Sequence, residues 1–279
     1  MANNNDFNKI NEALKKAAEE KEKSLQKDAA PLITPPPAEG TVPAYKIPEI
    51  PEGAFHSNGV DHKIVAYFSP KDPIVEQFRA LRTHICSSEK GCVPNTLMIT
   101  SSRNQEGKTL VSVNLSIVMA QDLEKPTLLV DCNLRKPCVD LYLGLKSDKG
   151  LSDVLSGNAQ ISDALVKTDV KNLTVLPAGQ IPMNPAELIG SQKMKDLMAE
   201  LKTKFNYIIL DAPPVIPYAD PRILGPLVNG VVIVVRTGVT RREAISRAEG
   251  ILKSVNCNIL GYVLTGIEYH IPEYIHRHL

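Results

Sequence analysis

The chain has 279 residues, 43% of them apolar, and 32 Lys and Arg stand against 31 Asp and Glu for a formal net charge of +1. That is enough length for one α/β domain of about 200 residues plus an extra segment, and its charge balance excludes a global field drawing the whole chain onto nucleic acid or lipid. The five cysteines fit no zinc spacing and read as reduced thiols.

No run approaches the ~18 apolar residues of a membrane span, and the polar opening Met1-Ala-Asn-Asn-Asn5 lacks the apolar stretch of a signal peptide. The expectation is a soluble, cytoplasmic protein that binds no nucleic acid, has no transmembrane segment and meets a membrane only through a partner.

The first predicted element is a short amphipathic helix within residues 6–27, with Phe7, Ile10, Leu14 and Ala17 or Ala18 at helical spacing. Its apolar stripe is too narrow to hold a helix alone, so the segment either docks on another surface or frays in solvent. Residues 28–60 carry Pro31, Pro35, Pro36, Pro37, Pro43, Pro48 and Pro51 and few large apolar side chains. Proline removes backbone donors and favours an extended chain, which predicts a linker between residues 1–27 and the main domain.

From residue 61 the pattern changes. Strand-like runs begin at Thr96, Thr127, Leu173, Tyr207, Gly230 and Ile259, and helical stretches lie near 108–122, 150–156, 192–204, 218–228 and 240–255. Short, nearly continuous apolar strands alternating with helices predict a doubly wound, mainly parallel sheet with helices on both faces, spanning residues 61–268. A short tyrosine-containing tail, residues 269–279, follows. In such sheets ligands bind at the carboxyl ends of the strands.

The first strand runs into Ser102-Arg103-Asn104-Gln105-Glu106-Gly107-Lys108-Thr109-Leu110 and then a helix. A strand, a tight loop and a helix N-terminus present backbone N–H groups to phosphate oxygens. Gly107 allows close approach, Lys108 reaches the terminal phosphates, and Thr109 offers a hydroxyl to Mg²⁺. Ser102 stands where the strict pattern places its first glycine, so context has to carry the reading. Asp131 and Asp211 supply that context, because each ends a later strand where a carboxylate faces the phosphate site. The predicted ligands are ATP and Mg²⁺. Lys108, Asp131 and Asp211 are the candidate catalytic residues; Thr109, Asp131 and Asp211 are the candidate metal residues.

Together these residues resemble the bacterial protein-tyrosine kinases (BY-kinases) of exopolysaccharide and capsule loci, a branch of the MinD/ParA-like P-loop ATPases. Thr100-Ser-Ser and Glu106-Gly-Lys-Thr109 are similar to the family's Walker A loop. Val130-Asp-Cys-Asn-Leu-Arg-Lys-Pro137 resembles its second acidic motif, and Leu210-Asp-Ala-Pro-Pro214 its Walker B. Three further stretches are family-like: Gly150–Gly157, Leu176–Leu188 and Val234–Ala244. Glu76-x-x-Arg79-x-x-Arg82 resembles the family's oligomerisation motif, and on a helix the three share about a third of the circumference.

The resemblance implies transfer of the γ-phosphoryl group of ATP to tyrosine hydroxyls, with Tyr269 and Tyr274 as the candidates in this chain. It also implies a homo-oligomer such as a ring, built through Glu76, Arg79 and Arg82, and a separate membrane-embedded polysaccharide co-polymerase as activator. Three features depart from the pattern. Asn104-Gln105 replaces a usual Pro-Gly, Asn133 replaces a second acidic residue, and the tyrosine tail is sparse. They keep a second reading open, a non-kinase MinD/ParA-like regulatory ATPase of the same export machinery. Against it, Arg103 stands where that branch has its signature lysine.

Overall fold

The computed structural model describes residues 59–87 and 95–267. The N-terminal helix, nearly all of the proline-rich linker, and the tail with Tyr269 and Tyr274 lie outside the described residues. Val60, at the linker's end, is already buried in the domain core.

Among the described residues seven strands form one sheet: β1 (Thr96–Ser101), β2 (Thr127–Asp131), β3 (Val166–Lys167), β4 (Leu173–Leu176), β5 (Tyr207–Asp211), β6 (Gly230–Arg236) and β7 (Ile259–Thr265). Their spatial order is β3-β4-β2-β5-β1-β6-β7. All neighbours are parallel except β3 and β4. The antiparallel β3 was not among the expected strands, since two residues are too few to show a period of two.

The helices are α1 (Val65–Phe68), α2 (Pro73–Cys86), α3 (Lys108–Asp122), α4 (Val139–Leu143), α5 (Leu151–Ser156), α6 (Ile161–Ala164), α7 (Pro185–Ile189), α8 (Gln192–Lys204), α9 (Asp220–Leu224) and α10 (Arg242–Lys253). The expected helix near 218–228 is instead α9 followed by a 3-10 turn, Gly225–Leu227. Pro226 has no N–H to give an α ladder, which ends the helix there. Among the described residues no helix is long and apolar enough to cross a membrane.

Alternate strand residues feed two apolar cores, one on each face. Leu97, Ile99 and Leu129 pack with α1, α2 and α3, whereas Met98, Leu128 and Val130 pack with α5, α8 and α10. A strand buried on both faces needs apolar residues at every position, which is why these runs do not alternate.

Helix α3 lies against the sheet with most of its circumference buried. Its buried polar residues bond its own carbonyls and neighbouring elements. Ser112 and Ser116 donate to the carbonyls of Lys108 and Ser112, at 2.9 and 2.7 Å. The Asn114 side chain accepts from the Ala66 N–H at 3.0 Å and donates to the Leu110 carbonyl at 2.9 Å, tying α1 to the helix that follows the phosphate loop. Helix α2 starts on Asp72, whose carboxylate accepts from the Ile74 N–H at 2.8 Å, with Pro73 in the first turn.

Candidate nucleotide site

The loop from Ser102 to Gly107 joins the carboxyl end of β1 to α3. Gly107 caps the helix in the left-handed region at φ +89°, a conformation glycine reaches without penalty. Gln105 also lies there, at φ +63°. The usual glycine is missing at that position, yet the backbone keeps the glycine-like shape, at a cost of about 1 kcal/mol. The buried Glu106 side chain turns back into the loop. It accepts from the Ser102 hydroxyl at 3.0 Å and from the Arg103 N–H at 2.9 Å.

Lys108 and Thr109 occupy the first turn of α3, both nearly buried. The Thr109 hydroxyl donates to Asp211 Oδ2 at 2.7 Å, and the Ser112 hydroxyl lies 3.0 Å from Asp211 Oδ1, its one proton shared between that oxygen and the Lys108 carbonyl. Ser112 was not singled out from sequence. Its signal was its spacing, one turn beyond Thr109 on the same helix face.

Asp131 and Asp211 are register partners on β2 and β5, with 1% and 0% of their surface exposed. Burial raises the Asp131 carboxyl to about 8, and the Asp211 charge adds to the rise. Burial also raises Asp211, opposed by the Lys108 charge and by the Thr109 and Ser112 hydroxyls. Asp131 Oδ1 accepts from the Asn133 N–H at 3.0 Å, and Oδ2 accepts from the N–H groups of Cys138 and Val139, both at 3.1 Å. A carboxylate offers about four acceptor directions, so about one stays open. Asn133 braces the same turn by donating to the Lys136 carbonyl at 2.8 Å. Next to it, Arg135 grips the buried Asp220 carboxylate at 2.8 and 3.3 Å and lies 4.6 Å from the Tyr218 ring centroid. The segments that follow β2 and β5 are therefore locked together.

The structure thus brings Lys108, Thr109, Asp131 and Asp211 together at the carboxyl ends of the central strands. It places Glu76, Arg79 and Arg82 elsewhere, on α2. There Arg79 and Arg82 both bond Asp122 at the end of α3, and Arg79 also bonds Glu76. Both guanidinium groups are held inside one subunit, while the Glu76 carboxylate is mostly exposed.

A family profile described as the AAA domain matches residues 96–258, more than half of the chain. The tyrosine-protein kinase YwqD of Bacillus subtilis is 35% identical over 207 residues, covering 74% of this chain and 87% of the relative. The chain belongs to the bacterial tyrosine-protein kinase family. Among solved structures, the kinase domain of the Escherichia coli tyrosine kinase ETK is 28% identical with a TM-score of 0.72, covering 81% of this chain and 88% of that one. The septum site-determining protein MinD of Pyrococcus horikoshii, solved with Mg-ADP, is 25% identical with a TM-score of 0.55, covering 66% and 76%. The fold is that of the MinD-like P-loop ATPases.

Proposed function

We propose that this chain is an ATP-dependent protein-tyrosine autokinase that regulates exopolysaccharide or capsule biosynthesis, chain length and export. The observation that carries the reading is the grouping of Lys108, Thr109 and Asp211 behind a left-handed Gly107, on a chain of this family.

The residues suit a nucleotide with Mg²⁺. Two adjacent buried carboxylates with raised pKa values create a demand for a cation. Thr109 and Asp211, with Asp131, would hold Mg²⁺, which when bound neutralises charge on the phosphates. The loop from Ser102 to Leu110 cradles the phosphates, and Lys108 stabilises the charge on the transferred group. Asp131 orients the tyrosine hydroxyl or takes its proton. The tyrosine oxygen then bonds to the γ-phosphorus, the bond to the bridging oxygen breaks, and ADP leaves. With Mg²⁺ beside the pair, Asp131 would be held ionised, the form that can accept a proton.

Tyr269 and Tyr274 are the proposed acceptors, on neighbouring copies assembled through Glu76, Arg79 and Arg82. A separate membrane-embedded co-polymerase would activate the kinase and recruit it from the cytoplasm to the inner membrane face.

The test incubates the full chain with its membrane partner and ATP·Mg²⁺ and maps phosphotyrosine by mass spectrometry. The expected result is phosphate on Tyr269 or Tyr274, lost in Lys108→Met. Absence of phosphotyrosine alongside ATP turnover that Lys108→Met abolishes would replace the kinase with a regulatory ATPase.

A further inference from the structure

The stretch Val234–Ala244 and the end of β7 have no part in the chemistry above, yet both reach the phosphate loop from behind. The Thr240 hydroxyl donates to Glu106 Oε1 at 2.5 Å and accepts from the Arg236 N–H at 3.1 Å, so its direction is fixed. The Arg236 guanidinium donates to the Gln105 carbonyl at 3.3 Å. The Thr265 hydroxyl donates to the Glu106 carbonyl at 2.8 Å, and the Thr237 N–H donates to the Thr265 carbonyl at 2.9 Å. The Thr265 side chain also lies against Gly107, where an added Cβ would come within 3.3 Å of its methyl group.

The Glu106 carboxylate is 2% exposed, and among the described residues no ion pair includes it. A buried carboxylate beside a site for polyphosphate opposes the ligand's charge. Its three donors, from Ser102, Arg103 and Thr240, are what make the position tolerable, and they fix the loop in return. The bracket closes on the two peptide units at Gln105 and Glu106, next to the one non-glycine residue of the loop that sits in the left-handed region.

We propose that Glu106 is the positioning residue of the phosphate loop, and that Arg236, Thr240 and Thr265 form a bracket holding Gln105 in the backbone shape a glycine would adopt unaided. The proposal rests on the nucleotide-site reading above and deepens it, because it assigns a role to the carboxyl ends of β6 and β7.

The test is a double-mutant cycle read as the Kd of a fluorescent ADP analogue with Mg²⁺, on the full chain, with thermal unfolding recorded for every variant. Glu106→Gln is expected to weaken binding about tenfold, because an amide cannot accept from all three donors. Arg236→Met and Thr240→Val are each expected to weaken it about fivefold with Gln105 present, and less than twofold in a Gln105→Gly background. Equal losses in both backgrounds, or no loss in either, overturn the bracket. Arg236 is exposed, so the Arg236→Met arm decides the question even if Glu106→Gln does not fold. If the unaltered chain fails to bind the analogue, or Lys108→Met binds it equally well, the nucleotide site itself is wrong and the bracket falls with it.

Discussion

Asp131 and Asp211 stand side by side at the carboxyl ends of neighbouring parallel strands, in register and almost without exposure. Parallel in-register partners point their side chains to the same face, so two carboxyl groups share one buried space beside Lys108. Repulsion between them is built in, and the natural relief is a proton or a cation.

Stability without ligand is the first consequence. The Asp131 carboxyl is raised from 3.8 to about 8, so the folded chain keeps a proton that the unfolded chain loses. Its contribution is fully present below the unfolded value and is lost as pH rises through the folded one, at about 1.4 kcal/mol per pH unit for each such proton. Thermal unfolding is expected at lower temperature at pH 8 than at pH 6. In Asp211→Asn the neighbouring charge is gone, so that slope should shrink; parallel pH curves for the two proteins would refute the coupling.

The same pair predicts proton release on ligand binding. A cation stabilises both carboxylates and drives off the shared proton. Titration calorimetry with ADP and Mg²⁺ at pH 7, in buffers of different ionisation enthalpy, should show protons released to the buffer. The release should fade as pH rises well above about 8, where Asp131 is already ionised.

The two hydroxyls on Asp211 are expected to behave differently. Thr109→Ala should cut phosphotransfer about 100-fold, or ~2.7 kcal/mol of barrier, because the same oxygen would also serve Mg²⁺. Ser112→Ala should cost only about threefold, since the Ser112 hydroxyl divides its proton between the carboxylate and the Lys108 carbonyl and has no proposed contact with Mg²⁺. Equal losses in rate measurements would place both hydroxyls in one role.

Asp122, at the end of α3, holds Arg79 and Arg82, the two arginines of the proposed oligomerisation motif. Asp122→Ala should lower folding stability by less than about 1 kcal/mol, as partly exposed ion pairs do. It should shift the mass measured by light scattering upward, and Arg79→Ala with Arg82→Ala should shift it toward monomer. Unchanged masses in both proteins would remove the motif from assembly.

Gly150 and Gly250 form a contrasting pair. A Cβ on Gly150 would lie 2.2 Å from the Gly179 nitrogen and 2.4 Å from the Pro177 carbonyl oxygen, both backbone atoms. Gly150→Ala is therefore expected to cost at least about 2 kcal/mol in denaturant unfolding. Gly250 lies inside α10 with nothing within 4 Å of a Cβ, so Gly250→Ala should add about 0.5–1 kcal/mol.

Much of this protein was legible in its sequence because local chemistry carries it. The six longer strands each carry a short apolar run, and in the central ones, β1, β2, β5 and β6, that run is what a sheet covered on both faces requires. Gly107-Lys108-Thr109 after a strand and before a helix, with Asp131 and Asp211 ending later strands, marks the candidate nucleotide site, because each of these signals is local to a few residues. The tertiary structure decided what local pattern could not encode. Ser112 joined the site by folding one helix face onto β5. Arg236, Thr240 and Thr265 reached the loop from as many as 159 residues away in the chain, a distance across which no motif has a period. Gln105 kept a glycine's backbone because contacts from other strands outweigh about 1 kcal/mol of local preference. Arg79 and Arg82, which the sequence placed on one helix face, turned to Asp122 because α2 packs along α3 and presents an acid within their reach.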